Sequence, residues 1–289
     1  MGEFAGIFAP DFLLRNSVYA GLIVGLVCPL VGIYFVMRRM IFLGVALPQI
    51  SSAGIALAFF LHGLELHFLP HGTEEHWMAL GGSLALTAAA IALLAVLERG
   101  RGGGPTDGRI AVAYIVASAA SMLLIAANPH GEAHVLSLFK GEIVAVSDHD
   151  LTILAAGYAV VVLGLTTCHR ELLLVSFDRD IATVLGRHVT AWDVALFILI
   201  GLTISLGVMT VGPLVVFAFL VLPPLAALRL VRGMVPLSIT AAAFGSATAL
   251  LGFYASYRYD LPLGPTDAVL AAAALGIATA GARAGRRRA

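Results

Sequence analysis

The chain has 289 residues, 60% of them hydrophobic and 12% charged, with a mean hydropathy of +0.98. Soluble domains are about a quarter charged, so this composition excludes a soluble domain with a single anchor and describes an integral membrane protein built of helices. Net charge is zero, so what charge says about partners lies in its distribution. The two cysteines, Cys28 and Cys168, fall in or at the end of apolar runs, which excludes a disulfide scaffold and a cysteine-based zinc site.

A bilayer crossing needs about 20 mostly apolar residues. The first such run, 17–37, has no basic segment before it and is expected to be a span, not a cleaved signal peptide. Eight more follow at 45–61, 78–97, 110–127, 151–167, 192–208, 213–228, 236–256 and 265–282. The connection at 207–213 is short enough to be a break in one long hairpin. No internal repeat or low-complexity tract is present. Pro29, Pro48, Pro223 and Pro224 lie inside spans, where they remove backbone hydrogen bonds and permit kinks. Small residues around 51–54 and 201–207 should let helices approach closely.

Lys and Arg stay on the cytoplasmic side of short loops. With the N-terminus outside, only Arg15, Lys140 and Arg258 of the 17 basic residues fall outside, and the basic tail ends inside. The outer loop 62–77 then carries His62, His67, His71 and His76 with Glu65, Glu74 and Glu75. Imidazoles and carboxylates suit zinc, manganese and similar ions, so the loop either gathers metal weakly or is simply solvated. The outer segment 128–150 contains LSLFKGEIVAV, which reads as a short, partly buried helix.

The inner stretch 168–191 stands apart. Between nearly uncharged spans it carries Arg170, Glu171, Asp178, Arg179, Asp180 and Arg187. Phe177, Ile181, Val184, Leu185 and His188 recur at helical spacing and predict a short amphipathic helix. Ser176 or Asp178 is placed to cap its start and Gly186 to end it. Such a helix suits the docking of a soluble partner; an interfacial helix resting on lipid headgroups fits the pattern as well.

Some chemistry is missing. No span has a charge near its centre, and Asp193 and Asp267 sit at span ends. An ion-coupled carrier usually needs an intramembrane carboxylate or histidine, which argues against that class. The glycine-rich 100–108, GRGGGPTDG, lacks the lysine of a phosphate loop and reads as a flexible connection. If ATP drives this protein, another chain binds it. His130 and His134 stand in the order H-G-E-A-H, not H-E-x-x-H, which argues against an intramembrane metalloprotease. Gln49, with Ser51 and Ser52 nearby, is the strongly polar group of the second span. It reads either as glue between helices or as a substrate contact.

Five stretches together resemble the permease subunits of bacterial ABC importers for zinc, manganese and iron. They are RRMIFLGVALPQISSAGIAL at 38–57, LFKGEIVAVSDHDL at 138–151, FDRDIATVLG at 177–186, VGPLVVFAFLVLPPLAALRL at 211–230 and SYRYDLPLGPT at 256–266. They occur in the family's order and on matching membrane sides. The resemblance implies an all-α, polytopic bundle of about nine transmembrane helices, forming one permease domain over 1–289 with a coupling segment at 169–190. It implies a pathway built by two permease copies, two cytoplasmic ATPases docked on the coupling helices, and an outer binding protein. ATP would be used by the ATPase, with no cofactor on this chain, which would be a transport subunit and not an enzyme. The expected setting is the bacterial cytoplasmic membrane, and no nucleic-acid partner is implied. Phe177, Ile181 and Leu185 become the apolar docking face, Asp178 and Arg179 the polar contacts, and Asp178, Ala182 and Gly186 the D-x-x-x-A-x-x-x-G pattern.

The chain departs from the family at one place. The second helix of the family usually carries an Asp and a His as G-D-x-L-A-H, and the aligned residues here are Val45 and Gln49. Valine ligates nothing, and an amide oxygen is a weak neutral ligand. Either the ion uses other groups, with Gln49, Ser51 and Ser52 as pathway candidates, or the cargo is a metal already wrapped in a chelator.

Overall fold

A computed structural model of the chain describes residues 14–63, 75–99, 107–127 and 146–286. The described chain is helical: α1 (Arg15–Met37), α2 (Ile41–Gly63), α3 (Glu75–Arg99), α4 (Asp107–Ala126), α5 (Asp148–Thr167), α6 (His169–Phe177), α7 (Arg179–Val184), α8 (Val189–Val211), α9 (Pro213–Leu230), α10 (Met234–Tyr259) and α11 (Leu263–Arg286). Nine of these helices are long and apolar enough to cross a bilayer; α6 and α7 are the short ones.

The spans divide into a central group and a ring. In α1, α2, α8 and α9 more than half of the apolar window is buried, against 22–28% in α3, α4, α5, α10 and α11. Val24, Phe35, Leu47, Ile200, Ile204 and Phe219 fill the middle of one continuous apolar core. The outer helices are apolar on both faces, which a helix facing lipid requires. All four prolines noted in the spans lie inside helices, Pro29 in α1, Pro48 in α2 and the pair Pro223 and Pro224 in α9.

Close packing in lipid depends on small residues, and two crossings show it. A Cβ added to Gly25 of α1 would stand 2.7 Å from the carbonyl oxygen of Gly245 in α10. Gly54 of α2 and Gly82 of α3 meet backbone to backbone in the same way. Next to that crossing Ser51 and Ser83 share a buried hydrogen bond of 2.6 Å. Gly54→Val must push the two backbones apart. It is expected to cost about 1–3 kcal/mol, read as earlier loss of the monodisperse peak when the detergent-solubilised protein is heated. An unchanged melting profile would contradict the crossing.

Two sets of polar contacts fix which helix ends lie together. At one end, the Asn16 amide donates to Asp148 Oδ1 at 2.8 Å and to the Val146 carbonyl at 3.1 Å, joining the starts of α1 and α5. Ser147 and Asp150 form a capping box there. At the opposite end, Arg38, just past α1, reaches Ser176 of α6 and Asp193 of α8. The ends of α1 and α5 and the start of α8 therefore share a side with α6 and α7.

The inner stretch differs from its sequence reading in one respect. It forms two helices, α6 and α7, with Asp178 extended between them. His188 lies beyond α7 and begins α8, because Gly186, at φ +72, has already ended the turn. At 207–213 the chain breaks at a single residue, Gly212, with φ +83, and Pro213 starts α9. The helix expected at LSLFKGEIVAV, residues 136–146, lies outside the described residues except for Val146.

Candidate functional site

Both ends of α7 are set by local chemistry. The Asp178 carboxylate accepts from the backbone N–H of Asp180 at 3.0 Å and of Ile181 at 2.9 Å, so Asp178 is the N-cap. Ser176, the other candidate cap, instead donates back to the Leu172 carbonyl within α6. At the C-terminus Gly186 N–H bonds the Thr183 carbonyl and Arg187 N–H the Ala182 carbonyl, both at 3.0 Å. That is a Schellman motif, whose left-handed position glycine fills without strain.

These caps present α7 in one orientation. Ala182 is fully buried against the bundle. Phe177, Ile181, Val184 and Leu185 are 52–87% exposed, and Val184 is the most exposed of them. Four apolar side chains thus stand clear of the protein, Phe177 at the end of α6 and Ile181, Val184 and Leu185 on and just past the capped α7. Isolated exposed apolar residues need no explanation, but a contiguous patch marks an interaction surface. Leu172 and Val175 anchor α6 beneath it, and Arg187 pairs with Glu171 at 3.3 Å to close the far side of the loop.

Arg179 leads inward. Its guanidinium pairs with Asp193 Oδ2, and Asp193 Oδ1 accepts from Arg38 at 2.7 Å. Arg38 also donates through Nε to Ser176 at 2.9 Å. Side-chain exposure is 9% for Arg38, 11% for Asp193 and 61% for Arg179. Two cations thus meet one carboxylate at the junction of α1, α6, α7 and α8. Sequence reading placed Asp193 at a span end and gave it no partner; a lone acid opening an apolar run was the available signal.

The pathway candidates separate. Ser51 is buried and bonded to Ser83, and Ser52 is buried inside the bundle. Gln49 and Val45, one turn apart on α2, are both half-exposed and share a face. Of the histidines, His62 is exposed near the end of α2, His76 lies in the first turn of α3, and His67 and His71 lie outside the described residues. Among the described residues no cluster of three His, Cys, Asp or Glu is placed to hold a metal. Asp267, near the start of α11, is 3% exposed, packs on Gly252, and leaves Oδ1 without a hydrogen-bond partner among the described residues.

The sequence model of the ABC 3 transport family matches residues 11–281. A manganese import system permease protein of Streptococcus gordonii is 24% identical over 256 residues, 88% of this chain and 86% of that protein. A zinc transport system membrane protein of Treponema pallidum is 28% identical over 260 residues, 88% of this chain and 84% of that protein. Among solved structures, PsaBC from Streptococcus pneumoniae, in complex with Fab, superposes with a TM-score of 0.82 at 23% identity. It covers 96% of this chain and 94% of that chain, and shows the same fold.

Proposed function

The chain belongs to the ABC 3 transport family, and on that footing we propose that it forms the membrane pathway of an ABC importer for a divalent transition-metal ion. It is a transport subunit and not an enzyme; a separate ATPase supplies the energy. The family match across residues 11–281 carries this reading. Its relatives include a manganese import permease and a zinc transport membrane protein, which supports a free ion as cargo over a chelate.

In this reading α7 is the coupling helix. Phe177, Ile181 and Leu185 meet the ATPase, Asp178 and Arg179 flank the contact, and Ala182 and Gly186 give the helix its seat and its end. Their exposure, burial and capping support these assignments. Two copies of the chain, with Val45 and Gln49 on the facing surface, enclose the path, and an extracytoplasmic binding protein delivers the ion. The setting is the cytoplasmic membrane, with the N-terminus outside and the basic tail inside. The histidines of 62–77, His62, His67, His71 and His76, collect ions weakly at the outer mouth.

The test is uptake into proteoliposomes holding this chain, its ATPase and its binding protein. Free zinc, manganese and iron are offered, then the same metals chelated, each with and without ATP. ATP-dependent uptake of a free ion is expected. Uptake of chelate alone, or uptake indifferent to ATP, would overturn the proposal.

A further inference from the structure

The three-residue cluster at the base of α1 does something that the docking surface alone does not explain. The helix α7 is six residues long, and its one buried side chain is Ala182. A single methyl group transmits little force sideways. The firm tie between α7 and the spans is ionic: Arg179 to Asp193, and Asp193 onward to Arg38. Asp193 lies in the first turns of α8, and Arg38 directly follows the last residue of α1. Both belong to the central group of spans, α1 and α8, not to the outer ring.

The pairs differ in kind. Arg38 and Asp193 are buried, and Ser176 of α6 holds the same guanidinium. Separating the two would leave an unpaired charge in a largely buried place, so this half behaves as a rigid link between α1 and α8. Arg179 is 61% exposed at its side chain, and its half bends with α7. Arg38 Nη2 is buried with no hydrogen-bond partner among the described residues.

We propose that Asp193 is the transmission joint of the transporter, a positioning residue that converts movement of α7 into a joint movement of the inner ends of α1 and α8. The proposal rests on α7 being the ATPase docking helix. A displacement of α7 reaches Arg179, then Asp193, then Arg38, and the two central spans shift as one. Neutralising Asp193 cuts this path while leaving the apolar docking face intact.

The experiment measures ATP hydrolysis and ion uptake together on the assembled complex in proteoliposomes, using Asp193→Asn, Asp193→Glu and Arg179→Gln. For Asp193→Asn the number of ATP consumed per ion delivered is expected to rise about tenfold, and Asp193→Glu should recover most of the loss. Arg179→Gln breaks the exposed arm and is expected to raise the ratio too while the ATPase still co-purifies in full, which separates the joint from Arg179's place beside the docking contact, so the test survives if Asp193→Asn does not fold. A ratio equal to that of the unmodified complex in both neutralised variants, whatever happens to either rate, makes the cluster a structural brace and overturns the joint. Failure of the docking premise shows differently: the ATPase then co-purifies unchanged with a chain whose α7 apolar face has been made acidic, and the joint falls with it.

Discussion

Replacing Ile181 and Leu185 together by aspartate should abolish ATP-driven uptake by detaching the ATPase from the membrane complex. Both side chains are more than half exposed and make no part of the core. Burying an aliphatic side chain of this size contributes about 1.5–3 kcal/mol, and a carboxylate pressed into the same apolar contact adds a desolvation cost. A combined loss of about 4 kcal/mol corresponds to roughly a thousandfold weaker association. The fold should survive, because Ala182, the Asp178 cap and the Gly186 motif are untouched. Asp178 is a poorer target: it caps α7, so its replacement would weaken the helix by about 1 kcal/mol and confuse docking with folding. The measurement is the amount of ATPase retained when the membrane subunit is purified, alongside uptake. Full retention with normal uptake would show that α7 rests on lipid headgroups.

The sequence carried the parts of this molecule that are decided locally. A span must be about 20 apolar residues long, so the nine helices were visible as runs. Most of their true ends lie further out, as at Ile41–Gly63 for the run 45–61, because the helix outlasts the apolar layer and continues into water. The start and end of α7 were legible because a cap is a matter of three or four neighbouring residues. The Arg38–Asp193 pair was not legible: its members lie 155 positions apart, and neither side chain announces the other. Nor could spacing say that Ser51 would turn to Ser83 and leave Gln49 half-exposed. That depends on which face of α2 meets α3, which the Gly54–Gly82 crossing decides.

The double variant Val45→Asp, Gln49→His is expected to bind zinc about a hundredfold more tightly than the unmodified chain, with a smaller gain for manganese. The two positions are one helical turn apart on α2 and both half-exposed, so the new carboxylate and imidazole would face the same space. At present that strip offers a valine and a neutral amide. A carboxylate brings negative charge to a low-dielectric wall, where attraction to a dication is strong, and an imidazole adds a ligand that zinc accepts better than manganese does. Each single change should give only a small part of the effect, because one ligand fixes no geometry. Equilibrium dialysis of the purified membrane subunit against each metal reads the affinities directly. Tighter holding also has a consequence for transport. An ion retained in the wall must be released on every cycle, so ATP-driven uptake of free zinc should saturate at lower concentration and run more slowly at saturation. If zinc and manganese bind no better than before, Val45 and Gln49 do not look into a common path, and the facing surface of α2 has to be sought elsewhere on that helix.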